Sequence, residues 1–500
     1  YGISVKGPIY DTMVAQYVSN SDVGQKLDHM AEAHLGYKMV PITDLIGKKG
    51  KKRRPMRDTP LEQLKEYAAE DADITYQLKS VTEDLVRKVR AEALLTEVEF
   101  PLIFVLTDME TYGVKLDEQF LSDYSAELTE DLVDIRDKIY DAAGQEFNLD
   151  SPKQLGAILF EDLGIPYTGK KTKTGQYSTA EDVLSKHKEE HPIIDDILTY
   201  RELTKLKSTY VDALPQLINA KTGRVHTTFG QTVAATGRLS SIQPNLQNIP
   251  IRTARGREIR KAFIAENDDF CILSADYSQV ELRIIAHITQ DAGMLEAFDR
   301  GEDIHASTAA KVFGVAIDEV TSEMRRKAKA VNFGLAYGQS AFGLAQALGI
   351  SRSEAKEIIE NYFKQFPGIK DYMTETVQFA RDKGYVETIL GRRRYLRDIN
   401  SRNWTVRAQA ERNAINSPIQ GSAADLIKVA MIQIHKIFRE RGLASRMILQ
   451  VHDELVFEAH REELETIKPI IRQGMKEAIP GLRVPIVVDM GVGANWLEAH

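Results

Sequence analysis

The spacing of apolar residues along the chain alternates between a helical and a strand-like pattern. Short apolar runs rich in strand-favouring residues occur near the middle and towards the end of the chain. Apolar residues three and four positions apart, the spacing of helices, dominate most of the remainder. We therefore predict an α+β fold in which a sheet-forming unit is interrupted by a helical insertion. The predicted strands are residues 270–275, 447–451, 455–457 and 484–488.

The same pattern divides the chain into four blocks. We expect the first to mix helix with short strand and the second to be a long helical hairpin with a polar loop at its tip. The third holds the predicted strands in two separate segments, and the fourth is almost continuously helical. In that order the blocks are residues 1–92, 93–225, 226–288 with 412–500, and 289–411.

Carboxylates lie at the ends of the predicted strands. The stretch MILQVHDELVFE, residues 447–458, predicts a hairpin whose tip carries Asp453 and Glu454 instead of the residues that usually solve a turn. Asp276 ends another strand. If these strands are neighbours in one antiparallel sheet, the three carboxylates repel one another unless cations lie between them. Oxygen ligands of this kind suit Mg²⁺, and two ions roughly 4 Å apart suit phosphoryl displacement.

The helix predicted after Asp276 leaves two interpretations open. Ser278 and Glu281 have the spacing of a capping box, in which each side chain satisfies a backbone donor of the other. In that interpretation Glu281 is structural. In the other it belongs to the site beside Asp276, and the residues alone favour neither.

A stripe of two cations and two aromatic residues lies within residues 322–338. Arg325, Lys329, Phe333 and Tyr337 recur every four residues, so they share one side of a helix. Such a stripe can follow a nucleotide from its triphosphate to its base. The structural alternative is an aromatic pair facing the core with a solvated basic edge. A glycine in the helix favours the first interpretation, because it costs about 1 kcal/mol relative to alanine and allows a close approach to the backbone.

Composition narrows the class of protein. The 500 residues, 43% hydrophobic and 28% charged, predict a globular protein of several domains. No apolar run is long enough to span a membrane, so we expect no membrane partner. The single cysteine, Cys271, excludes an internal disulfide and fits a reducing cytoplasm. The chain begins with Tyr1, not methionine, and we expect it to be part of a longer product.

Basic clusters make a polyanion partner plausible although the net charge is −8. A single cluster more often forms a solvated face. A stretch that resembles a phosphate-binding loop, residues 164–171, lacks the final hydroxyl residue and follows a helical segment, so we reject it. The clusters are residues 48–57, 170–173, 201–207, 325–329 and 392–394.

Seven stretches together resemble the large fragment of bacterial family A DNA polymerases. DYSQVELR, RRKAKAVNFGLAYG and QVHDELVFE are similar to the three signature motifs of that family, and ATGRLSSIQPNLQNIPIR is similar to its primer and template segment. DIHASTAAKVFG, GRRRYL and NSPIQGSAADLIK also match, in the family's order. The resemblance implies a right-hand architecture: an antiparallel-sheet palm (226–288 and 412–500), helical fingers (289–411) and a helical thumb (93–225).

The resemblance also implies residue roles. Asp276 and Asp453, with the Tyr277 carbonyl, would hold two Mg²⁺ ions, for which Mn²⁺ can substitute; Glu454 would be an accessory carboxylate. The incoming deoxynucleoside triphosphate would be bound by Arg325, Lys329, His305, Phe333, Tyr337, Glu281 and Gln279, and Lys329 would act on the leaving pyrophosphate. Phenylalanine at position 333 implies discrimination against dideoxynucleotides. Primer-template DNA would be contacted by Arg238, Gln420, His452, Arg412, Asn416, Asn248 and Arg252.

The resemblance thus implies a template-directed DNA polymerase acting in bacterial replication and repair, a monomer of the cytoplasm associated with the nucleoid. The first block contains Tyr67 and Asp71 in a stretch that resembles the third motif of the family's 3′–5′ exonuclease. The partner motifs are not in this sequence, and we expect this truncated α/β exonuclease-like block (1–92) to be inactive. Two other classes stay open: a scaffold that only clamps DNA, and an enzyme that copies RNA templates.

Overall fold

The computed structural model describes residues 7–48, 50, 53–167, 169–251 and 253–500, apart from the side chain of residue 336. Arg252, Thr168 at the start of the polar loop predicted at 168–176, and three lysines of the first basic cluster lie outside the described residues.

Twenty α-helices account for most of the described chain. They are α1 Thr12–Ser19, α2 Leu27–Leu35, α3 Ile42–Ile46, α4 Leu61–Lys88, α5 Phe100–Tyr112, α6 Glu118–Ala143, α7 Pro152–Ala157, α8 Glu181–Leu184, α9 Ile193–Leu206, α10 Ala254–Glu258, α11 Val280–Thr289, α12 Ala292–Asp299, α13 Ile304–Phe313, α14 Ser322–Ala336, α15 Ala341–Leu348, α16 Arg352–Gln365, α17 Pro367–Lys383, α18 Trp404–Arg441, α19 Leu464–Lys476 and α20 Trp496–Ala499.

Among the described residues, ten strands form one four-stranded sheet and three two-stranded sheets. The strands are β1 Lys115–Leu116, β2 Thr228–Gly230, β3 Ser240–Ile242, β4 Phe263–Ile264, β5 Phe270–Tyr277, β6 Tyr385–Glu387, β7 Arg393–Tyr395, β8 Arg446–Val451, β9 Glu454–His460 and β10 Val488–Gly493. The large sheet has the order β10-β5-β9-β8, and every pairing in it is antiparallel. The large sheet is therefore built from two segments far apart in the chain, one with β5 and the other with β8, β9 and β10, as expected.

Three of the four predicted strands of the large sheet are confirmed and the last is misplaced. The strand predicted at 484–488 begins only at Val488 and runs to Gly493. Residues 484 and 486 are buried although they are not in a strand. An apolar run shows that a segment is buried, but it does not show whether the backbone pairs with a neighbour.

Two other expectations are corrected. The described residues of the first block form helices only, so the expected short strands are wrong for that part of the chain. The predicted boundaries at 288/289 and 411/412 fall inside α11 and α18. Helix α18 is 38 residues long and crosses from the helical insertion to the sheet. Apolar side chains of both faces of the sheet form one core with α5, α11, α14 and α18.

Among the described residues, no helix combines the length and the apolar character needed to cross a bilayer.

Candidate active site

The sheet brings Asp276 and Asp453 together. Asp276 is the last residue but one of β5, and Asp453 lies in the two-residue turn between β8 and β9. The backbone N–H of Tyr277 donates to the carbonyl oxygen of Asp453 at 3.2 Å. In the strand register Asp276 lies opposite Glu454. The convergence predicted from the sequence is therefore confirmed.

Two residues beside this pair have left-handed backbone conformations. His452, in the turn, has a φ of 55°, and Gln279, at the start of α11, has a φ of 54°. Side chains other than glycine adopt this region at a cost, and such residues concentrate at functional sites. The side-chain amide of Gln450 donates to the His452 carbonyl at 2.5 Å, which fixes the turn.

The two aspartates lie in an environment with excess negative charge. Burial raises the pKa of Asp276 to about 6, and the nearby carboxylates of Glu454 and Asp453 add to this. Burial also raises the pKa of Asp453, against the opposing effects of Arg238 and His452. Neither side chain accepts a hydrogen bond from the described residues around it. Half-buried, unpartnered carboxylate oxygens fit the hard-oxygen preference of a divalent cation.

Glu454 does not complete a three-carboxylate site as predicted. Its Oε1 accepts hydrogen bonds from Ser274 Oγ at 2.6 Å and from Trp496 Nε1 at 2.7 Å. Its Oε2 lies 3.5 Å from Arg260 Nη1. Although burial raises the pKa of Glu454, these donors together with His500 hold it below its usual range. Within the described ranges, no group of three or more histidine, cysteine, aspartate or glutamate side chains forms a metal site. The expected cradle is reduced to two aspartates.

The partners of Glu454 had no signal in the sequence. Arg260 is 2% exposed and its guanidinium lies 4.0 Å from the centre of the Trp496 ring. Both residues are distant in the chain from β9, in the short helical turn before β4 and in α20. A buried arginine beneath a buried carboxylate becomes visible only once the sheet is formed.

Glu281 pairs with Arg238 and forms no capping box. Arg238 Nη2 donates to Glu281 Oε1 at 2.6 Å, and α11 has no side-chain cap. Burial raises the pKa of Glu281 to about 7; Arg238 lowers it and Asp453 raises it. The capping-box interpretation is therefore wrong, and the interpretation that places Glu281 in the site stays a prediction, which its contact with Arg238 supports.

The predicted stripe follows α14, with Tyr337 directly after its last residue, and both interpretations of it stay open because Phe333 and Tyr337 also pack against the core. Arg325 and Lys329 are exposed, whereas Phe333 and Tyr337 are half-buried with ring centres 6.4 Å apart. The close approach expected at Gly334 comes from the protein itself: a Cβ there would lie 2.0 Å from Gln339 Oε1. Gly334 thus admits a neighbouring side chain, and it does not argue for a ligand.

His305 joins this stripe from the start of α13. It is 3% exposed, and its ring centre lies 5.7 Å from that of Phe333. Asn332 Nδ2 donates to its Nδ1 at 3.1 Å, so the ring proton is on Nε2. Burial lowers the pKa of His305 to about 4, and the ring is neutral at neutral pH.

Matches to known proteins agree with this geometry. Residues 118–498 match the model of DNA polymerase family A, and residues 1–87 match the model of the 3′–5′ exonuclease. The chain belongs to DNA polymerase family A. Its sheet with large helical parts is the right-hand architecture of that family, preceded by the exonuclease-like block.

This family A chain is similar along its whole length to bacterial proteins. It is 48% identical over 499 residues to DNA polymerase I of Geobacillus stearothermophilus and 46% identical over 504 residues to that of Bacillus subtilis, covering 100% of this chain and 56% of each relative. The chain thus spans about half the length of these relatives. The POL domain of Pol1 from M. smegmatis, solved in complex with DNA primer-template and dNTP, superimposes with a TM-score of 0.89 at 42% identity, covering 98% of this chain and 82% of that one.

The residues expected to contact DNA come from several separate segments of the chain. Arg412, Asn416 and Gln420 follow one another on α18, all partly exposed. Asn416 Oδ1 is buried without a partner among the described residues. Asn248 is exposed at the end of a short turn, where its carbonyl accepts the Tyr210 hydroxyl at 2.6 Å.

A glutamine pair missed in the sequence holds two of these segments together. Gln247 Nε2 donates to Gln450 Oε1 at 3.0 Å, and Ser241 N–H donates to Gln247 Oε1 at 3.1 Å. Gln450 in turn fixes the His452 turn. The alternating strand pattern places Gln450 in β8 without revealing its partner.

The basic clusters are only partly available to a polyanion. Arg392 is 4% exposed and bound within a network of buried carboxylates, and Arg393 pairs with Glu387 at 2.7 Å. Lys207 pairs with Asp212 at 2.8 Å. Burial contradicts the prediction of a polyanion surface for Arg392, whereas Arg393 and Lys207 pair with partly exposed carboxylates and the prediction stays a prediction for them.

Proposed function

We propose that this chain is a template-directed DNA polymerase. It adds deoxynucleotides to a primer 3′-hydroxyl by nucleotidyl transfer, releases pyrophosphate, and serves DNA replication and repair. The observation that carries the proposal is the convergence of Asp276 and Asp453 at one end of the antiparallel sheet. Membership of family A and the names of the relatives point the same way.

Nucleotidyl transfer in family A generally depends on metal ions, and we propose two Mg²⁺ ions here, with Mn²⁺ able to substitute. The carboxylates of Asp276 and Asp453 and the carbonyl of Tyr277 would hold them. When bound, the ions supply charge neutralisation and lower the pKa of the attacking hydroxyl. The protein's own contribution is a pair of carboxylates held rigidly by strand pairing and kept free of competing donors.

We propose that α14 and its neighbours bind the deoxynucleoside triphosphate. Arg325, Lys329 and the Nε2–H of His305 would bind phosphate oxygens, and Lys329 would assist pyrophosphate departure. The sugar would lie between Phe333 and Glu281, next to Gln279 in its left-handed conformation. Tyr337, which ends α14, would lie near the templating base.

We propose primer-template DNA as the second partner of the site. Arg238, Asn248, Arg252, Arg412, Asn416, Gln420 and His452 would contact it. Minor-groove acceptors are common to all correct base pairs, so contacts of this kind check shape without reading sequence. The support is that the described members of this set are at least partly exposed, together with the likeness to a protein solved with primer-template DNA.

Primer extension tests the proposal. With a primed DNA template, four deoxynucleotides and Mg²⁺, the chain should extend the primer, and Asp276→Asn or Asp453→Asn should abolish extension while leaving duplex affinity largely unchanged. Asp489→Asn is the matched control, because Asp489 lies opposite Asp276 in β10 but is exposed. Duplex binding without extension would identify a scaffold instead, and preferential extension on RNA templates would favour the other class.

We further propose that the domains divide as thumb 93–225, palm 226–288 with 412–500, and fingers 289–411. The protein would act as a monomer in the bacterial cytoplasm, at the nucleoid. The block 1–92 would not proofread: Asp71 lies beside Tyr67 and Glu70, and no metal cluster forms within the described residues. Shortening of a 3′-mismatched, end-labelled primer without nucleotides would contradict this.

A further inference from the structure

Asp303 uses its two carboxylate oxygens for two different purposes. Oδ1 accepts the backbone N–H groups of His305 at 2.8 Å and Ala306 at 3.1 Å, which caps the start of α13. Oδ2 accepts a hydrogen bond from Arg325 Nε at 2.8 Å and lies 2.7 Å from Arg325 Nη2. One oxygen therefore builds a helix end, and the other binds the first cation of the α14 stripe.

The contact with Arg325 is partly open to solvent. The Asp303 side chain is 38% exposed and the Arg325 side chain is 46% exposed. Burial raises the pKa of Asp303, but the Arg325 guanidinium and the two backbone donors outweigh it and hold the pKa below its ordinary value. Asp303 is thus anionic at neutral pH. Lys329, one turn along α14, forms no ion pair with the described residues.

A carboxylate oxygen that accepts a hydrogen bond from a guanidinium and pairs with its charge presents it with the same chemistry as a phosphate oxygen. In the proposed function Arg325 binds the triphosphate, so the nucleotide and Asp303 require the same donors. Exposed pairs of this kind are weak and can be exchanged. The arriving polyphosphate must therefore displace Asp303 from the guanidinium or tolerate its charge.

We propose that Asp303 is an internal competitor for the polyphosphate end of the nucleotide and weakens its binding to Arg325. The inference rests on the proposed function, because it assigns a regulator to the same phosphate-binding stripe. Asp303 thereby sets the nucleotide concentration at which the site fills. It leaves the reacting atoms untouched.

Asp303→Asn separates the two roles of the side chain. Asparagine caps a helix as well as aspartate does, so α13 should keep its start while the charge facing Arg325 is lost. Glu323→Gln is the matched control: Glu323 pairs with Arg326 at 2.6 Å on the same turn of α14 and is similarly exposed. The control removes an equal charge from the neighbouring arginine.

The measurement is the equilibrium affinity for inorganic tripolyphosphate, followed by the KM for deoxynucleotide in primer extension. Asp303→Asn should tighten tripolyphosphate binding by about two- to fivefold and lower KM by a similar factor, the range of an exposed ion pair. The kcat and the unfolding midpoint should stay near those of the wild type. In Arg325→Gln the same substitution should have no effect, and the gain should shrink in high salt.

Three results would overturn the inference. Weaker binding by Asp303→Asn would show that Asp303 holds Arg325 in position for the substrate. An equal gain in Glu323→Gln would reduce the effect to net charge. No tripolyphosphate binding by the wild type would remove the stripe as a phosphate site. A wild-type chain that binds tripolyphosphate as expected but extends no primer would instead refute the proposed function and leave the role of Asp303 intact.

Discussion

Asp276 and Asp453 show how a single side chain can be predicted from sequence while its environment cannot. Each was recognisable because a carboxylate ends an apolar run, a position with no structural need for charge. Burial raises the pKa values of both residues, and the carboxylate of Glu454 adds to this at Asp276. Both effects arise only when distant parts of the chain come together. The same is true of Glu454, whose donors in α20 and before β4 were invisible in the sequence.

Lys329 is expected to affect the rate of nucleotide incorporation and not the stability of the fold. It is exposed and has no ion-pair partner among the described residues, so Lys329→Ala should leave the unfolding free energy within about 0.5 kcal/mol of the wild type. If it neutralises developing charge on the leaving group, nucleotide incorporation should slow roughly 10- to 1000-fold. Single-turnover incorporation measures this. Lys327→Ala is the control, since Lys327 lies on the same helix and pairs with Glu354 at 3.4 Å; equal rates in the two variants would remove Lys329 from this role.

His305 should make stability depend on pH in a defined window. Its folded pKa of about 4 is below its ordinary 6.5, so the unfolded chain binds a proton between these values that the folded chain does not. The contribution is complete above pH 6.5 and is lost as the pH falls towards 4, by roughly 2 to 3 kcal/mol. Urea unfolding at pH 7.5 and pH 5 should show a smaller difference for His305→Gln than for the wild type. An unchanged difference would contradict burial of a neutral ring.

The loop between β2 and β3 depends on one glycine. Gly237 precedes Arg238, has a φ of +88° and lies against Arg392, whose Nε would be 2.6 Å from a Cβ at that position. Arg392 cannot give way, because Asp425 accepts hydrogen bonds from its Nε at 2.8 Å and its Nη2 at 2.6 Å. The buried guanidinium of Arg392 therefore helps to position the segment that carries Arg238 towards Glu281.

Gly237→Ala should destabilise the protein by roughly 2 to 4 kcal/mol, from backbone strain together with the clash. Gly223→Ala is the control: its φ is +65° and nothing lies within 4 Å of its Cβ position, so only the strain of about 1 kcal/mol applies. Thermal unfolding compares the two variants. Gly237→Ala should also raise the KM for primer-template, and similar losses in both variants would show that Arg392 adjusts.

At the level of helices and strands, sequence patterns predicted whether a segment is a helix or a strand better than they predicted where it begins and ends. The apolar runs of β5, β8 and β9 and the four-residue spacing of α14 identified those elements correctly. The start of β10 and the first block were mispredicted, and α11 and α18 run across predicted boundaries. Backbone pairing and helix length depend on contacts between distant segments, and a local apolar pattern does not report them.

Buried charges join the end of the helical turn before α5 to the residue after β2 and to α18. Glu99 accepts a hydrogen bond from Lys428 Nζ at 2.7 Å and from Gln231 Nε2 at 2.8 Å, and it also binds Arg392. Burial raises the pKa of Glu99, but Lys428 and Arg392 bring it down to about 2. Glu99, Asp425 and Lys428 are all 0% exposed, so the network is electrically balanced only while every member is present.

Removal of one member should therefore cost more than removal of a balanced pair. Lys428→Met should lower the free energy of unfolding by roughly 3 to 5 kcal/mol, since Glu99 would keep a buried charge with one cation fewer. The double variant Glu99→Gln with Lys428→Met should recover a substantial part of that loss. Denaturant unfolding of the two single variants and the double variant forms the cycle. Strict additivity would mean that the residues do not act together.

The network of buried charges around Glu99 bears on whether the chain can be shortened at its N-terminal end. The Tyr17 hydroxyl, from α1, donates to the Ala234 carbonyl at 2.5 Å in the loop leading to Gly237 and Arg238. A shortened polypeptide lacking everything before α5 would lack Glu99, so the guanidinium of Arg392 and the ammonium of Lys428 would be buried with one carboxylate fewer. The segment that leads to Arg238 would also lose its hydrogen bond from Tyr17. The part of the chain before α5, whether or not it has a chemical activity of its own, therefore supports the part that carries the candidate active site.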